Sequence, residues 1–176
     1  KDKNTHRVKR LVTSAMAIAL ATLTSFITIF KMPMGGSVTL FSMLFIVLIG
    51  YWYGIKTGLT AAIAYGVLQL LLDPYILNIP QVLLDYILGF GALGLSGIFS
   101  KSKHGLVKGY IIGVIGRFIC SFLSGWIFFA VYTPDFFNSA ILYSVVYNGS
   151  YIGLEAVVTL VVISLPPVNK ALAYVK

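Results

Sequence analysis

The sequence predicts an all-α integral membrane protein with six transmembrane helices and both termini on the cytoplasmic side. Three observations carry this. Of 176 residues, 59% are hydrophobic and only 10% are charged, against about 25% charged in an ordinary soluble domain. A mean hydropathy of +0.93 leaves too little polar surface to coat a water-soluble globule. The apolar residues also fall into runs of helical length, separated by polar or turn-forming residues.

Taken in order, the first ten residues, KDKNTHRVKR, read as a basic cytoplasmic segment ahead of helix 1, residues 11–30. No small-residue cleavage site follows that run, so it reads as a retained helix, not a signal peptide. KMPMGGS forms a loop. Helix 2 covers 38–53 and ends at YGIKTG; helix 3 covers 59–72 and ends at DPYILNIP. Both are short for a hydrocarbon core near 30 Å. Helix 4 covers 81–99, helix 5 covers 106–132 and helix 6 covers 140–165, where Pro166 and Pro167 stop it. The whole chain, 1–176, reads as one domain.

The net charge of +8 records topology. With the N-terminus inside, Lys1, Lys3, Arg7, Lys9, Arg10, Lys56, Lys101, Lys103, Lys108, Lys170 and Lys176 all lie inside, as expected for cytoplasmic loops. Lys31, Asp73 and Asp135 fall outside. Such one-sided charge attracts anionic lipid and gives no reason to expect a nucleic-acid partner. The chain is expected in a bacterial-type cell membrane as a multi-pass protein.

Several motifs point to bland roles. GFGALG, 89–94, fits a dinucleotide fingerprint but sits inside a helix, not at a strand–helix turn. Its glycines read as close-packing positions, as do Gly54/Gly58 and Gly109/Gly113. Asn148-Gly-Ser lies within helix 6, out of reach of glycosylation. No P-loop pattern occurs, so the chain has no ATP site of its own. His6 and His104 make no metal set, and the lone Cys120 reads as a buried thiol. No nucleophile–base–acid set appears, so no enzyme and no cofactor is expected. Trp126 reads as a lipid-facing or belt residue.

Buried ionisable groups are costly, and usually functional or paired. Asp85 lies about one turn into helix 4, Arg117 near the middle of helix 5 and Glu155 near the middle of helix 6. Arg117 and Glu155 can sit at similar depth, either as a structural ion pair or as the floor of a cavity. Arg117, Ser121 and Ser124 share a face by i, i+4 and i+7 steps. Tyr147, Asn148 and Tyr151 lie outward of Glu155, and Asp85 and Tyr86 enter from the outer end of helix 4. An acidic, aromatic pocket of this kind suits a flat cationic or amino-bearing ring. The alternative is a self-sufficient secondary transporter or channel using Asp85 and Glu155 as proton or cation sites.

The segments GGSVTLFSM (35–43), YGVLQLLLDPYILNIPQVLLDY (65–86), RFICSFLSGWIFF (117–129) and YSVVYNGSYIGLE (143–155) together resemble the thiamine-specific substrate-binding (S) components of energy-coupling factor (ECF) vitamin transporters, from helix 1 to helix 6. The resemblance implies high-affinity capture of a vitamin, no ATPase of its own, and docking on a shared coupling transmembrane protein with two cytoplasmic ATPases. By the same resemblance, Ala15 and Ala19 lie on the docking face and the loop between helices 1 and 2 forms a lid over the ligand. Gly36 lies in that lid, near where some members carry tryptophan. Asp85 and Tyr86 match an acidic residue followed by tyrosine, and Tyr143 and Asn148 match Y-x-x-x-x-N-G. Arg117 occupies a basic position, while Tyr75 and Phe129 match aromatic positions. Ser121 stands where the family often has histidine, which leaves a related ring, a thiamine-precursor pyrimidine or a pyridoxine-type vitamer, as an alternative ligand.

Overall fold

The computed structural model describes residues 2–175; Lys1 and Lys176, both assigned above to the cytoplasmic side, lie outside them. Helix α1, Asp2–Ser25, is followed by a hairpin of β1, Thr28–Lys31, and β2, Ser37–Thr39. Then come α2, Ser42–Tyr53, and α3, Ile55–Leu72. A long helix α4, Ile79–Phe99, leads to α5, Gly105–Phe128, and α6, Ala140–Ser164. A short α7, Pro166–Tyr174, ends the described chain.

Of these, α3, α4, α5 and α6 have the length and hydropathy of a membrane span. Helix α2 has 12 residues, and the apolar part of α1 starts only at Leu11. Helix α2 is nonetheless the core: Ile46, Val47, Leu48 and Ile49 are at most 1% exposed. A helix apolar on every side must be surrounded, and α1, α3, α4 and α5 surround it. Ala17 and Ala21 of α1 are buried, with Tyr65 of α3 donating to the Ala21 carbonyl. Ala15 and Ala19 are on the exposed face.

The structure corrects several element boundaries. Helix 1 ends at Ser25, not residue 30, and takes in the basic segment from Asp2. Residues 28–31 instead pair antiparallel with 37–39, Phe30 opposite Val38. β-Branched residues favour that extended pairing, and the connection turns through Met34 and Gly35, both at positive φ. Helix 2 accordingly starts at Ser42, after Phe41 at φ +62°. Pro166 and Pro167 do end α6, yet they also open α7, where a proline in the first turn forfeits no hydrogen bond. The Trp52 indole holds α7 by donating to the Leu172 carbonyl at 2.8 Å.

Helix α4 is irregular, and this matters for the site. Asn78 caps it by accepting from the Gln81 N–H at 2.8 Å. Leu83–Leu88 then widens into a π-helical turn, closed by the Gly89 N–H on the Leu84 carbonyl. The bulge is tolerated because Gly66 of α3 lies opposite: a Cβ there would sit 2.1 Å from the Tyr86 carbonyl oxygen. The glycines of GFGALG act in close packing, since a Cβ on Gly94 would meet the Gly58 carbonyl at 2.6 Å. Gly54 is different: its φ of +84° makes the α2–α3 turn and nothing lies within 4 Å of a Cβ there, so it is a turn residue rather than a packing one.

Candidate functional site

A cavity of about 520 Å³ opens at the end of the bundle that carries the hairpin, well within the range of small-molecule sites. Helix α5 supplies one wall. Arg117, Ser121, Ser124, Gly125 and Phe129 recur at helical spacing and all line it. Helix α6 supplies Tyr143, Ser144, Tyr147, Asn148 and Tyr151. Asp85 and Tyr86, both within the π turn of α4, line the same space; such wide turns recur at functional sites.

Ten of the eleven sequence-derived ligand candidates therefore meet here: Asp85, Tyr86, Arg117, Ser121, Phe129, Tyr143, Tyr147, Asn148, Tyr75 and Gly36. The eleventh, Glu155, does not line it. Glu155 also does not pair with Arg117. Its Oε2 accepts from the Thr39 N–H at 3.2 Å and the Thr39 hydroxyl at 2.7 Å. Its Oε1 accepts from the Ser42 hydroxyl at 3.3 Å and the Met43 N–H at 3.2 Å. The carboxylate thus caps α2, since Phe41, at the N-cap position just before it, supplies no side-chain acceptor. Unpaired amides and the positive end of the helix dipole attract it there.

Arg117 has an aromatic partner instead: its guanidinium carbon lies 4.2 Å from the centre of the Phe90 ring. Phe90 is in turn packed edge-on to Tyr65 at 5.2 Å. Arg117 and Phe90 also border a smaller neighbouring cavity of about 280 Å³ beneath the hairpin.

Three polar groups fix the shape of the site. Asp85 Oδ2 accepts from Gln81 Nε2 at 2.6 Å and from Ser124 Oγ at 2.8 Å. Asp85 Oδ1 has no protein donor among the described residues. The Tyr86 hydroxyl accepts from the Tyr75 N–H at 2.8 Å and donates to the Asp73 carbonyl at 3.1 Å, pinning the loop before α4. Asn148 is braced within its own wall: Nδ2 donates to the Ser144 carbonyl at 2.9 Å, and Oδ1 accepts from the Tyr151 hydroxyl at 3.0 Å.

The hairpin covers the mouth. The Tyr147 hydroxyl donates to the Pro33 carbonyl and accepts from the Gly36 N–H at 3.0 Å. Gly36 is needed for this approach, since a Cβ there would lie 2.7 Å from the Tyr147 hydroxyl and 2.9 Å from the Tyr151 ring. At the rim, Lys31 and Asp73 pair at 3.3 Å, both well exposed. Rings line the walls: Tyr75 lies 5.6 Å from Phe129, and Tyr147 lies 5.8 Å from both Tyr143 and Tyr151. Trp126 is not among the lining residues; it is 42% exposed and stacks on Phe122. Among the described residues no three His, Cys, Asp or Glu side chains gather to hold a metal ion.

Sequence reasoning missed Gln81, Phe90, Ser144 and Gln69 as lining residues. The first three carried a signal. Each lies four positions from a residue already singled out: Gln81 from Asp85, Phe90 from Tyr86, Ser144 from Asn148. Gln69 carried none.

An apolar helical bundle with a ring-lined cavity and one open carboxylate oxygen is built as a membrane protein with a binding site for a small organic molecule. The family model described as Thiamine transporter protein (Thia_YuaJ) matches residues 11–174. The thiamine transporter ThiT of Bacillus subtilis (strain 168) is 31% identical over 172 residues, covering 89% of this chain and 88% of that protein. ThiT of Lacticaseibacillus paracasei is 29% identical over 127 residues, 62% of this chain and 63% of its own length. The solved structure of ThiT from Listeria monocytogenes shares the fold, with a TM-score of 0.74 at 24% identity over 92% of this chain and 97% of that one. The chain belongs to the thiamine transporter protein family, a family of transporters and not of enzymes.

Proposed function

We propose that this chain is the thiamine-capturing S component of an ATP-driven ECF-type importer. It spans the bacterial cell membrane six times, with α1 to α6 as the spans and both termini in the cytoplasm, as a single domain. The cavity opens outward under this orientation, because the basic loops all lie at the opposite end of the bundle.

One observation carries the reading: Asp85 presents a single unengaged carboxylate oxygen, Oδ1, to a cavity walled by aromatic rings. That is a receptor for a flat ring bearing a positive charge or an amino group. Asp85 pairs with that group, and Tyr86, Tyr75 and Phe129 flank the ring. Ser121 and Tyr143 supply directional hydrogen bonds, and Arg117 contacts polar ligand atoms at the floor. Asn148 shapes the α6 wall through Ser144 and Tyr151. The hairpin closes over the ligand through Tyr147 and Gly36. Energy comes from outside the chain, which carries no P-loop: a coupling membrane protein docks on the exposed Ala15/Ala19 face, with two cytoplasmic ATPases behind it. The self-sufficient transporter reading is disfavoured by Glu155, whose oxygens are taken by four donors at the α2 terminus.

Calorimetric titration of the purified chain tests the reading. Thiamine should bind tightly, more tightly than pyridoxine or the free pyrimidine. Asp85→Asn should weaken it by well over tenfold, because a buried charge-assisted contact contributes about 1.5–3 kcal/mol. Equal affinity in the variant removes Asp85 from the site. Preference for another vitamer removes thiamine.

A further inference from the structure

Gln81 lies one helical turn before Asp85, on the same face of α4, and is 1% exposed. Every polar group of its side chain is in use. Oε1 accepts from the Leu77 N–H at 3.0 Å. Nε2 donates to the Tyr75 carbonyl at 3.1 Å and to Asp85 Oδ2 at 2.6 Å. Its own backbone N–H is held by Asn78. A buried amide with donors and acceptor all satisfied has one place to be, so it can serve as a fixed reference point for its neighbours.

A carboxylate turns easily about its last bond, because that torsion is broad and two-fold. Left alone in the cavity, Asp85 would present either oxygen at many angles. Gln81 and Ser124 both donate to the same oxygen, Oδ2, from different helices. Two donors on one oxygen fix the plane of the group and leave Oδ1 as the open acceptor. The same Gln81 amide holds the Tyr75 carbonyl, and the Tyr75 ring packs 5.6 Å from Phe129 in the cavity wall. One side chain therefore sets both the angle of the charged contact and the position of a flanking ring.

We infer that Gln81 is a positioning residue for ligand capture: it acts through Asp85, locking Oδ2 so that Oδ1 meets the ligand's cationic group. This rests on the reading of the cavity as the thiamine site. A side chain that merely holds the 73–79 loop in shape would weaken binding whether or not residue 85 is charged. One that acts through the carboxylate loses its importance once the carboxylate is gone.

A double-mutant cycle on the full chain, read by thiamine titration, separates the two. Gln81→Met keeps the length but cannot donate. In the wild-type background it should weaken thiamine binding about tenfold, roughly the loss of one charge-assisted hydrogen bond. In an Asp85→Ala background, which leaves Gln81 no side-chain oxygen to hold, the same change should cost about threefold or less, the part that reflects the Tyr75 carbonyl contact. Equal losses in both backgrounds overturn the inference while leaving thiamine as the ligand. If the wild-type chain binds no thiamine, the cavity reading and this inference fall together. Should Gln81→Met not fold, Gln81→Ala goes through the same cycle, since it brings no charge beside Asp85, and the same two outcomes decide.

Discussion

Removing the Glu155 carboxylate should destabilise the ligand-free protein, because its four donors all come from the junction between the hairpin and α2. In Glu155→Ala the two hydroxyls can compensate: Thr39 Oγ1 and Ser42 Oγ are already 2.6 Å apart. The two backbone amides cannot. Thr39 and Met43 are 8% and 1% exposed, so water does not reach them freely. Each orphaned buried amide costs about 1–3 kcal/mol, about 2–6 kcal/mol for the pair. Loss of the negative charge at the α2 N-terminus adds about 0.3–1 kcal/mol. At about 2–4 °C per kcal/mol for a chain of this size, the melting temperature should fall by at least about 4 °C. Differential scanning fluorimetry of the detergent-purified, ligand-free chain measures this. Glu155→Gln, whose amide can accept from one pair of donors but not both, should fall between. If Glu155→Ala instead melts within about 1 °C of wild type but loses thiamine binding, the carboxylate serves the ligand and the capping argument fails.

Three further outcomes follow from the same geometry. Gly36→Ala should push the hairpin off Tyr147 and speed thiamine release about fivefold through loss of one hydrogen bond; an unchanged stopped-flow dissociation rate would show that the lid does not depend on this contact. Ala15→Trp or Ala19→Trp should abolish uptake in cells while leaving thiamine binding by the purified chain intact, because these positions are on the exposed face of α1; loss of both activities would point to misfolding instead. Lys31→Ala should change affinity less than about fivefold, and less still in high salt, since an exposed pair contributes about 0–1 kcal/mol; a larger, salt-insensitive loss in titration would mean that Lys31 touches the ligand.

How much of the site was legible depends on how local the signal is. Arg117, Ser121 and Ser124 fall on one face by counting along a single helix, and they share the cavity. Asp85 and Tyr86 were found as polar residues in an apolar helix. Their place in a π turn, a feature that recurs at functional sites, needed the structure. The hairpin was hidden because residues 28–31 are as apolar as a helix end. Their pairing with 37–39 is visible only once the turn at Met34 and Gly35 is formed.

Glu155 marks the boundary most sharply. Its cost in lipid could be read from the sequence, and so could the need for a partner. Arg117 was the obvious candidate, being opposite in charge and at similar depth. The donors that took it lie 112 to 116 residues away in the chain. By itself, then, the sequence determined the partition between lipid and water, the order of the helices and which faces carry polar groups, because each of these is decided within a few turns of chain. Only the tertiary structure decided that Glu155 caps α2, that Arg117 rests on Phe90 and that Ser124 meets Asp85. Those choices depend on which distant segments come within about 3 Å of each other, and a hydrogen bond carries no trace of its partner along the chain.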